Sequence, residues 1–548
     1  MAMRVDAVSV ACDTSTASQA ITVDLGGDLP VVAFFLVTAT TADGDSSSTD
    51  NAVMSFGATD GTNQWAIGYS SEHNASSTTD TYTWFVTDEC ILILNPADGT
   101  VDGEANIVSF AANTINVNWG NLPGSAWKLT VWAIGGGEIS AVVGNATLDQ
   151  DVNAEKSIAH GLGRLPAWVV GASCGTHATA DTGAAADMGR ITVGFSSYDG
   201  AAIKNVCQGH QIRDGAGADY QVSALAYRDR LFKVPYYAGS PISAAVQAAC
   251  QVSSYSSTSI GLTKRDSSLN ADFGYAIVTG GHAYASMWGE HESTAGFPTG
   301  TGVKTHDPVP GTQFLPLGAM LGLTRLNYSE VDSVVTNVRA GTMGIGFVGP
   351  QSGHCASVQH QRNEIATDTQ SIYNDKPIHL PAHSGGTGGH EAEFSSYAQT
   401  SVAVNVTTAV SSTKCIPTLL IGRRVPRGDP RGRITSSGVE AGRVSGTMTV
   451  IGHIRTNAVV AGRVVAASVL IGRIVAFQPA AGRVVAGATL RGIIISTGSE
   501  AGRITHSAVT AGRVGSSGVE AGRVTGSSTA RGLIVHSGAE AGSVTSNA

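Results

Sequence analysis

Ser436-Ser-Gly-Val-Glu-Ala-Gly-Arg443 returns letter for letter at residues 516–523. Around both copies a glycine recurs every ten residues, at Gly432, Gly442, Gly452, Gly462, Gly472, Gly482, Gly492, Gly502, Gly512, Gly522, Gly532 and Gly542. Two places after each stands Val or Ile, from Ile434 to Val544. The residue between is Arg in eight of the twelve blocks: Arg433, Arg443, Arg463, Arg473, Arg483, Arg503, Arg513 and Arg523. A period this short marks a stacked or fibrous structure.

Each block reads as two pentads of the form small-x-(Val/Ile/Thr)-x-x. In a strand, the first and third residues of a pentad share a face, and an odd period sends successive pairs to opposite faces. A corner every five residues turns them all inward, as in a β-solenoid. The departures Gly452-His453, Gly492-Ile493 and Gly532-Leu533 fall every fourth block, and the verbatim copy returns eight blocks on. A coil of about 20 residues fits both intervals and predicts a stub of ~30 Å at one strand spacing per coil. The alternative is an intertwined multi-chain β-structure, exceeding ~300 Å at ~3.3 Å per residue. The repeat region is placed at 425–548, and its arginines form a candidate assembly or anchoring ladder.

Ahead of the repeat, one longer unit is written three times. Each copy carries a Leu-Pro pair (Leu29-Pro30, Leu165-Pro166, Leu315-Pro316) followed by an apolar run. Each then has a glycine beside an aromatic (Phe56-Gly57, Gly194-Phe195, Gly346-Phe347) and closes on a β-run ending at Gly135, Gly280 or Gly422. Short β-branched segments between Gly, Asn, Asp and Ser clusters read as strands and turns. The fold expected is all-β, with three tandem β-sandwich modules of jelly-roll type at 1–138, 139–282 and 283–424.

Charged residues make up only 14% of the 548, against 42% hydrophobic, which excludes a solvating polyelectrolyte and favours packed strands. From Arg423 onward stand 15 Arg, no Lys and 5 acids, net +10, leaving the preceding chain at −19. An acidic body with a basic tail points to an acidic partner for the tail, including neighbouring copies. Apolar runs stop near seven residues, so no membrane span is expected. The start lacks an apolar leader core, so synthesis in a cytoplasm is expected. Seven scattered cysteines without CxxC predict buried reduced thiols.

Motifs for chemistry are weak. His354, Cys355, His360, His379, His383 and His390 cluster in the third unit, but Pro381 breaks the helix that His379 and His383 need to share a metal. Asp43, Asp45 and Asp50 lack the full calcium-loop pattern. Gly171-Ala-Ser173-Cys-Gly175 fits GxSxG without a following helix, and the GxGxxG at Gly344 lies within a strand. No catalytic, cofactor-binding or metal residue is assigned, and no enzyme is expected. Trp65, Trp84 and Trp119 are candidate glycan-contact residues, since flat aromatic faces suit sugar rings, with core packing as the competing role.

The whole resembles structural proteins of tailed-bacteriophage virions, with tandem β-sandwiches, low charge and a glycine-punctuated β tail. That resemblance implies a capsid decoration or a head or tail fibre, a homo-oligomer and most often a trimer. Its partners would be other capsid or tail proteins, or a host-surface glycan for a receptor-binding fibre. Neither a membrane nor a specific nucleic acid is implied.

Overall fold

The computed structural model describes residues 3–45, 51–72, 81–175, 188–198, 202–213, 221–238, 243–266, 270–288, 290, 296–308, 314–336, 340–362, 367–380, 390–398, 401–408 and 412–424, and twelve tail strands between 433 and 547. Contacts divide the chain into a body, Met1–Val425, and a tail, Pro426–Ala548. Apart from one short 3-10 turn, Tyr328–Glu330, every described element is a strand.

In the body one pattern occurs three times. The first large sheet runs Arg4–Ala11, Lys128–Gly135, Pro30–Thr38, Ala52–Thr59, Gln64–Ser71, Thr81–Val86, and its small sheet runs Ser18–Thr22, Thr114–Asn121, Val101–Ala111, Ile91–Leu94. The same order recurs in strands from Ser140 to Thr279 and again from His282 to Arg424. All pairs are antiparallel. Between each large and small sheet lies a separate apolar core, built in the first module from Phe35, Val37, Ile91, Ile93, Ile115, Val117 and Leu129. Corresponding cores fill the second and third modules.

These are two-sheet sandwiches, but the connections do not draw a jelly roll. The strands from Pro30 to Val86 form a meander within one sheet, and those from Ile91 to Asn121 form a meander in the other. Short links of four and two residues join Ala52–Thr59 to Gln64–Ser71 and Val101–Ala111 to Thr114–Asn121. At one of them the Asp60 carboxylate accepts from the Thr62 and Asn63 amides.

The repeated residues have the same physical job in each copy. Pro30, Pro166 and Pro316 each sit at a register shift against the closing strand, where a residue without an amide N–H costs no ladder bond. Gly57, Gly194 and Gly346 each lie under a small-sheet backbone. A Cβ on them would stand 2.2 Å from the Cys90 carbonyl oxygen, 1.9 Å from that of Leu231 and 2.0 Å from that of Pro377. Only glycine lets the sheets approach so closely. The closing glycines match less well: Gly135 and Gly422 stand opposite their prolines, but Thr279, one place before Gly280, stands opposite Pro166.

The modules are not beads on a string. Their large sheets turn their other faces toward one another and share a core that includes Phe34, Phe56, Trp65, Trp132, Trp168, Phe195 and Phe347. The Trp132 ring stacks on Phe347 of the third module at 5.8 Å and lies 6.5 Å from Trp168 of the second. Its Nε1 donates to the Val348 carbonyl at 3.1 Å. Three equivalent seams close the ring. Ala7, Val143 and Ala285 hold matching places on the first strand of their modules, opposite Trp132, Ala276 and Leu419. The Ala7 carbonyl accepts from Ser352 Oγ of the third module, the Val143 amide donates to Asp60 of the first, and the Ala285 amide donates to Ser197 Oγ of the second. Each module therefore leans on the one before it in a cycle.

Two sheets also borrow a strand. Gly44–Asp45 of the first module pairs with Ile372 and Tyr373 at the edge of the third module's large sheet. Ser333–Thr336 of the third pairs with Ser223–Ala226 positions of the second. Covering a sheet edge in this way removes a row of open backbone groups.

In the tail, every strand pairs in parallel with the strand twenty residues on, giving two six-stranded ladders. Gly452, Gly472, Gly492, Gly512 and Gly532 share one column of the first ladder. The decapeptide is thus half of a twenty-residue structural period.

Candidate functional site

The tryptophans proposed for sugar stacking are placed differently from that expectation. Trp65 is fully buried in the shared core, its Nε1 donating to the Tyr275 carbonyl at 3.1 Å across a module seam. Its indole fills the space over Gly274, where a Cβ would lie 2.2 Å from the ring. Trp119 is 2% exposed and donates to Gln19 Oε1 at 3.0 Å. Neither offers a face to a sugar. Trp84 is half-buried against Tyr82, Val86, Leu92 and Leu94, which leaves no aromatic platform of three.

The histidines of the third module are likewise dispersed. His354 stacks beside Tyr373 and shares a 3.1 Å hydrogen bond with its hydroxyl, while burial pulls the imidazole below its usual range. Cys355, next in the strand, faces the sandwich core, and burial pushes its thiol well up. His379 is within 3.1 Å of both Asn374 Nδ2 and Glu391 Oε1. His383 lies outside the described residues, as do the side chains of His360 and His390. Among the described residues no three His, Cys, Asp or Glu are grouped to hold a metal ion.

Ser173 of the GxSxG match is a buried strand residue whose hydroxyl donates to the Asp272 carbonyl at 2.6 Å, so it is not poised as a nucleophile. The GxGxxG match is strand backbone, with Gly349 packed on Ala7. Asp43 caps the third module by accepting from the Asp375 amide at 2.9 Å, while Asp50 lies outside the described residues. All seven cysteines are buried and unbridged.

The arginines are brought together. Arg443, Arg463, Arg483, Arg503 and Arg523 occupy one unbroken column of the second ladder, ending at Ser543. In the first ladder the equivalent column alternates: Arg433, His453, Arg473, Ile493, Arg513, Leu533. The forty-residue rhythm of the sequence is this alternation on every second strand. Backbone neighbours in a column stand ~4.8 Å apart. A column of like-charged residue types calls for counter-charge. Residues 442–499 supply none, with Arg443, Arg455, Arg463, Arg473, Arg483 and Arg491 and no acid.

The acidity of the body, one net figure in the sequence, is not uniform. Residues 1–138 hold 16 Asp and Glu against Arg4 and Lys128, a net of −14, whereas the second module has 11 acids to 10 cations and the third 10 to 8. Counting charge module by module would have found this. On the outer face of the first small sheet, Asp102 and Glu104 alternate with buried Gly103 and Ala105. Burial raises the carboxyls of Asp102 and Glu104, and the neighbouring charges of Asp98 and Asp88 respectively add to it.

No protein-family model and no curated protein matches the chain. Among solved structures, the chain was matched to Pseudomonas aeruginosa OccK2 (OpdF) in complex with glucuronate and to a BenF-like porin from Pseudomonas fluorescens Pf-5. They are 8% and 9% identical, cover 74% of this chain and 96% and 98% of theirs, and have TM-scores of 0.08 and 0.09. At those scores the likeness carries no argument about fold or function.

Proposed function

We propose that this chain is a non-enzymatic structural protein of a tailed-bacteriophage virion, a capsid decoration or fibre component whose repeat tail serves assembly or anchoring. The observation that carries this reading is the pairing of a closed three-module body with a tail of in-register parallel ladders. The twenty-residue pairing within one chain supports a compact β-solenoid, with the two ladders as its faces, over an intertwined fibre. It makes the tail a stub of about 24 Å, five strand spacings long. The threefold count that a fibre takes from three chains is met here by three modules, so association joins whole bodies. With Trp65 and Trp119 in the core, the glycan-binding alternative has no observation in its favour.

Electron microscopy and peptide mass spectrometry of purified particles test the proposal. The chain is expected at fixed positions and stoichiometry on the particle. Its absence from particles, in cells that make it, would overturn the virion role.

A further inference from the structure

The charge of this protein is concentrated at two places of opposite sign. One is the first module, at −14, whose small-sheet outer face carries Asp102 and Glu104 on a strand and Asp88 and Asp98 in the adjoining turns. The other is the tail, whose second ladder aligns Arg443, Arg463, Arg483, Arg503 and Arg523 in one column. The cations there are all arginine. A guanidinium pairs carboxylates bidentately and stays charged at any working pH, which a lysine ammonium does less well.

We infer that the arginine column of one copy docks on the acidic outer sheet of the first module of a second copy, joining bodies head to tail. Three features favour a second copy as the occupant. The two charges are complementary and each is left unbalanced within its own region. The acidic face belongs to a four-stranded sheet whose other face packs against its large sheet, and it is the outer face among the described residues of the body. The second module, with 11 acids to 10 cations, is close to neutral, and in the third the matching strand carries Glu391 and Glu393 but Lys376 pairs with Glu391 at 2.7 Å, so the first module has the most acidic face of the three. Such a contact is heterologous and propagates or closes a ring. The inference is independent of the virion role, since it concerns the purified chain.

The test is sedimentation of the full, nuclease-treated chain. Association that grows with concentration at low salt and disappears by about 0.5 M salt is expected, because exposed charge pairs are screened. Replacing Arg463, Arg483 and Arg503 by Gln should weaken it at least tenfold. The deciding arm uses two charge-reversed chains, one with Arg463→Glu and Arg483→Glu, the other with Asp88→Lys and Glu104→Lys. Each alone should remain unassociated, and mixing them should restore the assembly. A wild-type chain that stays monomeric, assembly lost on nuclease treatment, or reversed chains that do not complement would each overturn the inference. Docking of a tail on its own body would show as monomers throughout and is excluded by complementation. Should a variant misfold, wild-type assemblies indifferent to both salt and a short poly-glutamate competitor overturn it equally.

Discussion

The body and the tail reach β-structure from opposite ends of sequence separation. In the body Arg4 pairs with Gly135 and Ser140 with Thr279, so a sheet exists only when distant segments meet. In the tail each strand's partner is twenty residues away and carries nearly the same letters. The body therefore depends on particular side chains, while the tail depends on a period. Non-local pairing also pays a larger loop-closure entropy before contacts form, so the tail's ladders should assemble faster than the body's sheets.

The sharpest way to break this contrast is to remove one body side chain. Trp132→Ala deletes the indole that stacks on Phe347 and bonds Val348 across a seam. It should destabilise the body by about 3–5 kcal/mol in denaturant unfolding, with the tail's far-UV signal unchanged. Gly346→Ala comes next, because its methyl would meet the Pro377 carbonyl at 2.0 Å. Overpacking of that kind costs about 1–3 kcal/mol and should loosen the third small sheet first in hydrogen exchange.

Acid provides the third probe. Burial lowers the imidazole of His210 from its usual 6.5 to about 3. The unfolded chain therefore binds a proton that the folded body refuses. The stability that this group contributes is fully present above pH 6.5 and is lost, at about 1.4 kcal/mol at most per unit, as pH falls from there toward 3. A His210→Gln variant should flatten that part of the pH profile. Smaller again is Asp332→Ala beside the borrowed strand. Asp332 accepts from the Arg228 backbone amide and Nε, each at 2.8 Å, at an exposed site. About 1 kcal/mol or less is expected in thermal unfolding. The smallest effect belongs to the tail. Deleting residues 463–482 joins Gly462 to Arg483 in phase and should leave the strand signal per residue intact, whereas a five-residue deletion misaligns every later strand.

Most of the repeat grammar was legible in the sequence. Pro30, Pro166 and Pro316, and Gly57, Gly194 and Gly346, stood out as repeated positions, while their jobs, the register shifts and the close sheet contacts, are visible only in the fold. The ring was not legible. Trp132 and Trp65 look like any strand aromatics, and nothing local says that their partners are Phe347 and the Tyr275 carbonyl, more than two hundred residues on. The borrowed strand at Gly44–Asp45 was hidden because Asp43-Gly-Asp45 is also a turn signal. The jelly-roll expectation failed because strand count does not determine strand order. The arginine column followed directly from the period, but the acidity of the first module needed module boundaries before it could be counted.

The central claim is that three modules of one chain close into a single ring around a shared core. It is tested by inserting a protease site in the link between Gly135 and Ser140 and another between Thr279 and His282, then cutting the purified full chain and measuring its native mass. The ring predicts that the cut pieces stay together as one particle until denaturant is added. Pieces that separate as folded, independent modules in native buffer would contradict it.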